Sequence, residues 1–151
     1  MRAKFIYESI EDILRPKSDE EILADLSNNL NSDQLLFRCV EAGFLPGVIL
    51  ALKKGTDVHA ENDRALRWAS LRGHIDIVEL LLKSGANVNA VNVKDTPLSW
   101  ASYNGNKDVV ELLLKNGAKV DDFAIKFAFD NDHNDILELL KKYVKYETYK
   151  Q

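Results

Sequence analysis

Asp130, Asp132 and Asn134 stand two residues apart, the spacing of the first three oxygen ligands in an EF-hand calcium loop. Such a loop needs Gly at its sixth position and Glu at its twelfth, where this chain has Asp135 and Lys141. The run therefore reads as a turn. His59, His74 and His133 could ligate a metal or move a proton, but they are scattered and lack the paired spacing of a zinc site. The single Cys39 allows neither an intramolecular disulfide nor a Cys-based zinc site, and reads as a small buried hydrophobe in a reducing compartment. Glu79 and Glu111 recur at matching places and read as solvated helix residues rather than as a catalytic pair. No Ser-His-Asp order, nucleophile elbow, phosphate-cradling glycine loop or dinucleotide fingerprint is present. The sequence predicts no catalysis, no cofactor and no metal. What remains suits recognition: Trp68, Trp100, Arg72 and Tyr103 are of the types that dominate protein interfaces.

These side chains sit in an internal repeat. The stretch Leu66–Ala90, with Trp68-Ala69-Ser70, Gly73-His74, Val78-Glu79-Leu80-Leu81-Leu82-Lys83 and Gly85-Ala86, recurs 32 residues later from Leu98 to Asp121. A weaker copy begins 30 residues earlier at Leu36, and a truncated one at Ile125. Each copy reads as two short antiparallel helices. The first ends at a glycine able to turn left-handed (Gly43, Gly73, Gly105), and the second, with Ile77, Leu80 and Leu81 on one face, stops at Gly55, Gly85 or Gly117. Cys39, Ala69, Ala101 and Ala128 are small where neighbouring units must approach closely. One unit cannot bury both its faces, so the units must stack into an all-α solenoid.

The pattern resembles the ankyrin repeat family over residues 33–142. Thr96-Pro97-Leu98 matches the family's helix opening, Gly73-His74 its Gly-His pair, and Gly85-Ala86-Asn87-Val88-Asn89-Ala90 its ending. The resemblance implies about four helix-turn-helix units, at 33–62, 63–93, 94–122 and 123–142. The spacing, shorter than the family's usual one, implies short hairpin connectors. Shortened repeats with the Ala65–Ser70 core look like those of large DNA viruses, which implies a viral or host-interacting adaptor. His74 falls where the family's histidine holds loops together. The family binds other proteins on its concave face. Carried over by position, that face would hold Trp68, Leu71, Arg72, Trp100, Tyr103 and Asn104. The hairpin tips beside it would hold Glu61, Asn62, Asp63, Arg64, Lys94 and Asp95.

Two readings stay open for the column Arg38, Trp68, Trp100 and Phe127, each residue preceding the small residue of its unit. It is inter-repeat packing, or it is a row of anchors for a partner. The change from Leu71-Arg72 to Tyr103-Asn104 between otherwise similar units fits positions free of packing demands.

Outside the repeat, residues 1–32 read as a separate acidic, helical segment, and 143–151 as a helix end and tail. Residues 1–33 hold four basic and eight acidic groups, which accounts for the chain's net charge of −4, while residues 34–151 balance. Neither part has the positive excess that nucleic acid attracts, and no run of about 18 apolar residues could span a membrane. The start shows no secretion signal. The apolar stripe Phe5, Ile6, Ile10, Ile13 and Leu14, and then Ser18-x-x-Glu21 with the spacing of a capping box, predict two short helices, the nearer one covering the first repeat. The whole reads as a monomeric, cytoplasmic, non-enzymatic module that binds another protein. The alternative is a regulator or assembly component that docks through its acidic N-terminal helix.

Overall fold

The computed structural model describes residues 17–92 and 95–148, the last three as backbone. The predicted stripe at Phe5–Leu14, and Lys94, lie outside these residues. Helix α1 is Asp19–Asn29. Four helix pairs follow: α2 (Ser32–Ala42) with α3 (Leu45–Lys53), α4 (Ala60–Arg72) with α5 (Ile75–Lys83), α6 (Pro97–Tyr103) with α7 (Lys107–Lys115), and α8 (Asp122–Asp130) with α9 (Asn134–Thr148).

Local chemistry sets the helix ends. The capping box forms as predicted, with Ser18 accepting from the Glu21 amide and Glu21 reaching back to the Ser18 amide. Asn31 and Gln34 repeat the device at α2, and Thr96 and Ser99 at α6, where Pro97 occupies the first turn. The chain leaves α4 through Gly73 at φ +77°, where any Cβ would meet the Asn106 side chain. In the last unit Asp132 makes the equivalent turn at φ 60°, a conformation that Asp and Asn tolerate better than other side chains.

The helices form two rows. The first helices of the units (α2, α4, α6, α8) pack against one another more closely than the second helices do. Ala69, Ala101 and Ala128, all fully buried, permit that approach, so the stack curves toward the first-helix row. Between the rows runs one core of Leu35, Leu36, Leu66, Leu98, Ile77, Leu81, Leu113 and Ile136. Helix α1 has no fully buried residue. It leans on the head of the second-helix row with Leu26 and Leu30 against the core.

The connectors differ from the expected series of short hairpins. Among the described residues a bridge forms only at Asn92 and Asp95. The connector before α4 is two residues shorter, too short for that hairpin. It turns instead through Glu61, Asn62 and Asp63, which fall within the bounds of α4 but are left-handed (φ 52°, 57° and 53°) rather than helical, so the regular helix starts after them. The connector before α8 goes straight into a helix capped by Asp121, which accepts from the Ala124 amide. Successive left-handed residues cost about 1–2 kcal/mol each for side chains other than Gly. The guanidinium of Arg67, 6% exposed, offsets this by donating to the carbonyls of Asn62 (3.1 Å) and Glu61 (3.0 Å).

Candidate functional site

The inner row presents one outward stripe per unit. Residues four apart on α4, namely Arg64, Trp68 and Arg72, form a single ladder, because such positions share a helix face. Arg64 lies 4.9 Å above the Phe37 ring of the preceding unit and 6.0 Å from Trp68, and Arg72 covers Trp68 from the other side at 5.7 Å. Phe37, Arg38, Glu41, Gln34, Arg64 and Trp68 line a cavity of about 340 Å³. Arg64 also pairs with Glu61 at 2.9 Å, and Arg72 approaches Glu41 at 3.8 Å.

On the other side of Trp68 a smaller cavity of about 170 Å³ opens between Trp68, Leu71, Asp95, Trp100 and Arg67. Burial lowers the pKa of Arg67, and the Asp95 carboxylate opposes that shift. Beyond it the stripe is aromatic. Trp100 stacks on Phe127 at 6.4 Å, and Tyr103 meets both rings edge-on at 5.7 and 5.6 Å. Phe123 continues the cluster at 6.1 Å from Phe127.

The model of three consecutive ankyrin repeats matches residues 7–92 and 36–124. The chain belongs to the ankyrin repeat family. No curated protein matches it. The family match begins at residue 7, within the stretch expected to lie outside the repeats.

In this ankyrin stack the predicted histidine role extends along a ladder. The His74 ring packs over Gly43, where a Cβ would lie 2.6 Å from its Cε1. Asn106 does the same over Gly73 and donates to the carbonyls of Ser70 (2.9 Å) and Leu71 (2.8 Å). His133 packs over Gly105 and bonds the Tyr103 carbonyl at 3.1 Å. Asn106 and His133 thus bond their units to the ones before, while His74 meets the preceding unit by packing alone, its Nε2 buried without a hydrogen-bond partner among the described residues. His59 stands apart, 3.0 Å from Asp63. In the Asp130–Asp135 run, Asp130 pairs with Lys126 and Asp135 approaches Lys107. Among the described residues no group of three or more His, Cys, Asp or Glu could hold a metal ion, and no helix is long and apolar enough to cross a membrane. Burial raises the pKa of the Cys39 thiol, which packs where a side chain at Gly47 would otherwise sit.

The expected site residues divide in three. Trp68, Leu71, Trp100 and Asp95 meet around one cavity, half-buried. Arg72, Tyr103 (43% exposed), Asn104, Glu61 and Asn62 reach the surface, with Arg64 half-buried among them. Asp63 departs from its expected place at an exposed tip. It is 5% exposed, and its carboxylate accepts from the Asn87 amide at 2.8 Å, tying the first connector to the next. That bond uses Asp63 within the stack and takes it out of a partner's reach. Phe37, Gln34 and Glu41 belong to the cavity but were absent from the expected set. Their signal was the 30-residue register, which sets Gln34 beside Arg64 and Glu41 beside Leu71.

Proposed function

We propose that the inner face of this solenoid docks another protein, with Trp68, Leu71, Arg72, Trp100, Tyr103 and Asn104 as the contact row and Glu61, Asn62, Arg64, Lys94 and Asp95 at its rim. The observation that carries this reading is the state of the row. Its aromatic rings are held by neighbours on one side and left half-exposed on the other, so they are ordered before a partner arrives. Anchors already fixed in place lose little entropy on binding, and Trp, Tyr and Arg are the side chains that most often carry binding energy. The packing and anchor readings of the column are therefore compatible, since the same rings serve both. Ankyrin repeats are generally modules of protein–protein interaction, and no feature of the chain points to catalysis.

A double substitution R72A/Y103A tests the placement. The melting temperature should fall by only a few degrees, since the loss is confined to the edge-on ring contacts of Tyr103 and the place of Arg72 beside Trp68. Capture of the partner from a cell lysate should fall sharply. Unchanged capture would move the site elsewhere.

A second reading has one observation in its favour. Helix α1 buries no residue completely and carries Asp19, Glu20 and Glu21 in its first turn. In this reading α1 docks on a partner and the solenoid is its scaffold. Its place at the head of the second-helix row, and a family match that starts at residue 7, support its being a repeat-like cap instead. Removal of residues 2–30, which takes away α1, separates the two: a cap loses stability, while a docking element leaves a stable protein that no longer binds. A cytoplasmic, monomeric adaptor of viral or host-interacting type fits the short Ala65–Ser70 repeats and the reduced, buried Cys39.

A further inference from the structure

We infer that the partner offers this face an extended segment with a carboxylate at one end and an apolar side chain at the other. The carboxylate lies between Arg38 and Arg72, and the apolar group lies against Trp100 and Tyr103. The inference rests on the inner-face reading above and adds the chemistry of the occupant.

Charge is unevenly placed along the stripe. Its first half holds Arg38, Arg64 and Arg72, although the chain as a whole is acidic. Arg38 is exposed and has no ion pair among the described residues. Arg72 has only a 3.8 Å approach to Glu41, and both side chains are about half exposed or more (47% and 64%). Such a surface pair is worth little, so an incoming carboxylate can replace Glu41 at small cost. Arg72 also lies beside the Trp68 ring, and a guanidinium held there keeps donors at its edge for a planar, two-oxygen acceptor. A uniformly negative polymer such as nucleic acid fits less well, because Glu41 and Glu61 lie beside the same arginines. Isolated carboxylates can be threaded between those groups.

The second half of the stripe offers rings instead, with Tyr103 exposed and packed edge-on to Trp100. Neighbouring first helices lie about 8–10 Å apart, and an extended peptide advances about 3.3 Å per residue. A peptide running along the row thus passes one unit about every three residues. The acidic and apolar residues of the partner should fall about three to six positions apart.

The test is selection from a displayed library of random peptides about 12 residues long, enough to span four units. The full chain, R38E/R72E and Y103A serve as targets, with melting temperatures checked for each. The expected result is enrichment of Asp or Glu about three to six positions from an apolar residue. A synthetic peptide so selected should bind R38E/R72E about tenfold or more weakly. Replacing its Glu by Lys should restore binding to that variant. Selected peptides without acidic enrichment, or indifferent to the charge reversal, overturn the inference. If such peptides are still lost on Y103A, the inner face remains the docking site and only the proposed chemistry fails. Peptides indifferent to every substitution, or no peptides at all, remove both.

Discussion

The unit built from α4 and α5 and the unit built from α6 and α7 share their buried apolar residues and differ where they face outward or meet the preceding unit. Leu66 and Leu98, Ala69 and Ala101, Ser70 and Ser102, Val78 and Val110, Leu81 and Leu113 are buried pair by pair. Facing outward, Leu71-Arg72 becomes Tyr103-Asn104, and the surroundings of the tryptophan change with it. Trp68 is flanked by guanidinium groups, whereas Trp100 is flanked by rings. One scaffold thus presents two chemistries a single unit apart. A repeat protein can vary its surface in this way because each unit answers for its packing only to its neighbours.

The largest expected effects should not tell the two units apart. L66A and L98A each remove a fully buried side chain and should each cost about 2–5 kcal/mol, with less than about 1 kcal/mol between them, in denaturant unfolding. A wider gap would mean that the scaffolds are not equivalent. The connectors should show the first contrast. Arg67 and Ser99 occupy matching positions, but Arg67 clamps a left-handed turn while Ser99 completes a helix cap. R67A should cost about 1.5–3 kcal/mol, as loss of hydrogen bonds from a charged donor. S99A should cost less, about 0.5–1 kcal/mol. Equal losses would remove the clamp from the account.

The ladder that fastens unit to unit supplies the next contrast. Asn106 makes two bonds across the junction and His133 makes one. N106A should therefore destabilise by about 1–3 kcal/mol and H133A by about 0.5–1.5 kcal/mol. The reverse order would show that ring packing over Gly105, rather than hydrogen bonding, holds the last junction.

Much of the scaffold was legible because it is repeated. The glycines at 43, 73 and 105, the small residues beside them and the Leu-Leu-Leu runs recur in register, and each has one physical job. The capping box at Ser18 and the left-handed Asp132 were legible for the same reason, since a local rule settles each of them. The turn at Glu61–Asp63 was not. Nothing in Glu-Asn-Asp demands three left-handed residues; the turn arises because a 30-residue spacing leaves no room for a hairpin and because Arg67, a turn away, pays for it. Asp63 looked like an exposed tip because its partner, the Asn87 amide, lies 24 residues on. In the candidate site the aromatic column was visible as a column. Its division into an arginine half and a ring half depends on which side chains meet across units, and Phe37 under Arg64 is such a meeting.

The account stands most directly on exchanging the two surfaces without touching the core. The variant L71Y/R72N gives the second unit the outward residues of the third, and Y103L/N104R does the reverse. Melting temperature and partner affinity are measured on both, beside the parent chain. The expected result is a stability loss of no more than about 1–2 kcal/mol, from the ring contacts of Tyr103 and the bond from Asn104 to the Leu71 carbonyl, and affinity reduced about tenfold or more in each variant while both remain folded. Affinity equal to the parent's, or a loss of affinity that merely follows a loss of stability, would contradict the claim that this face is where the protein meets its partner.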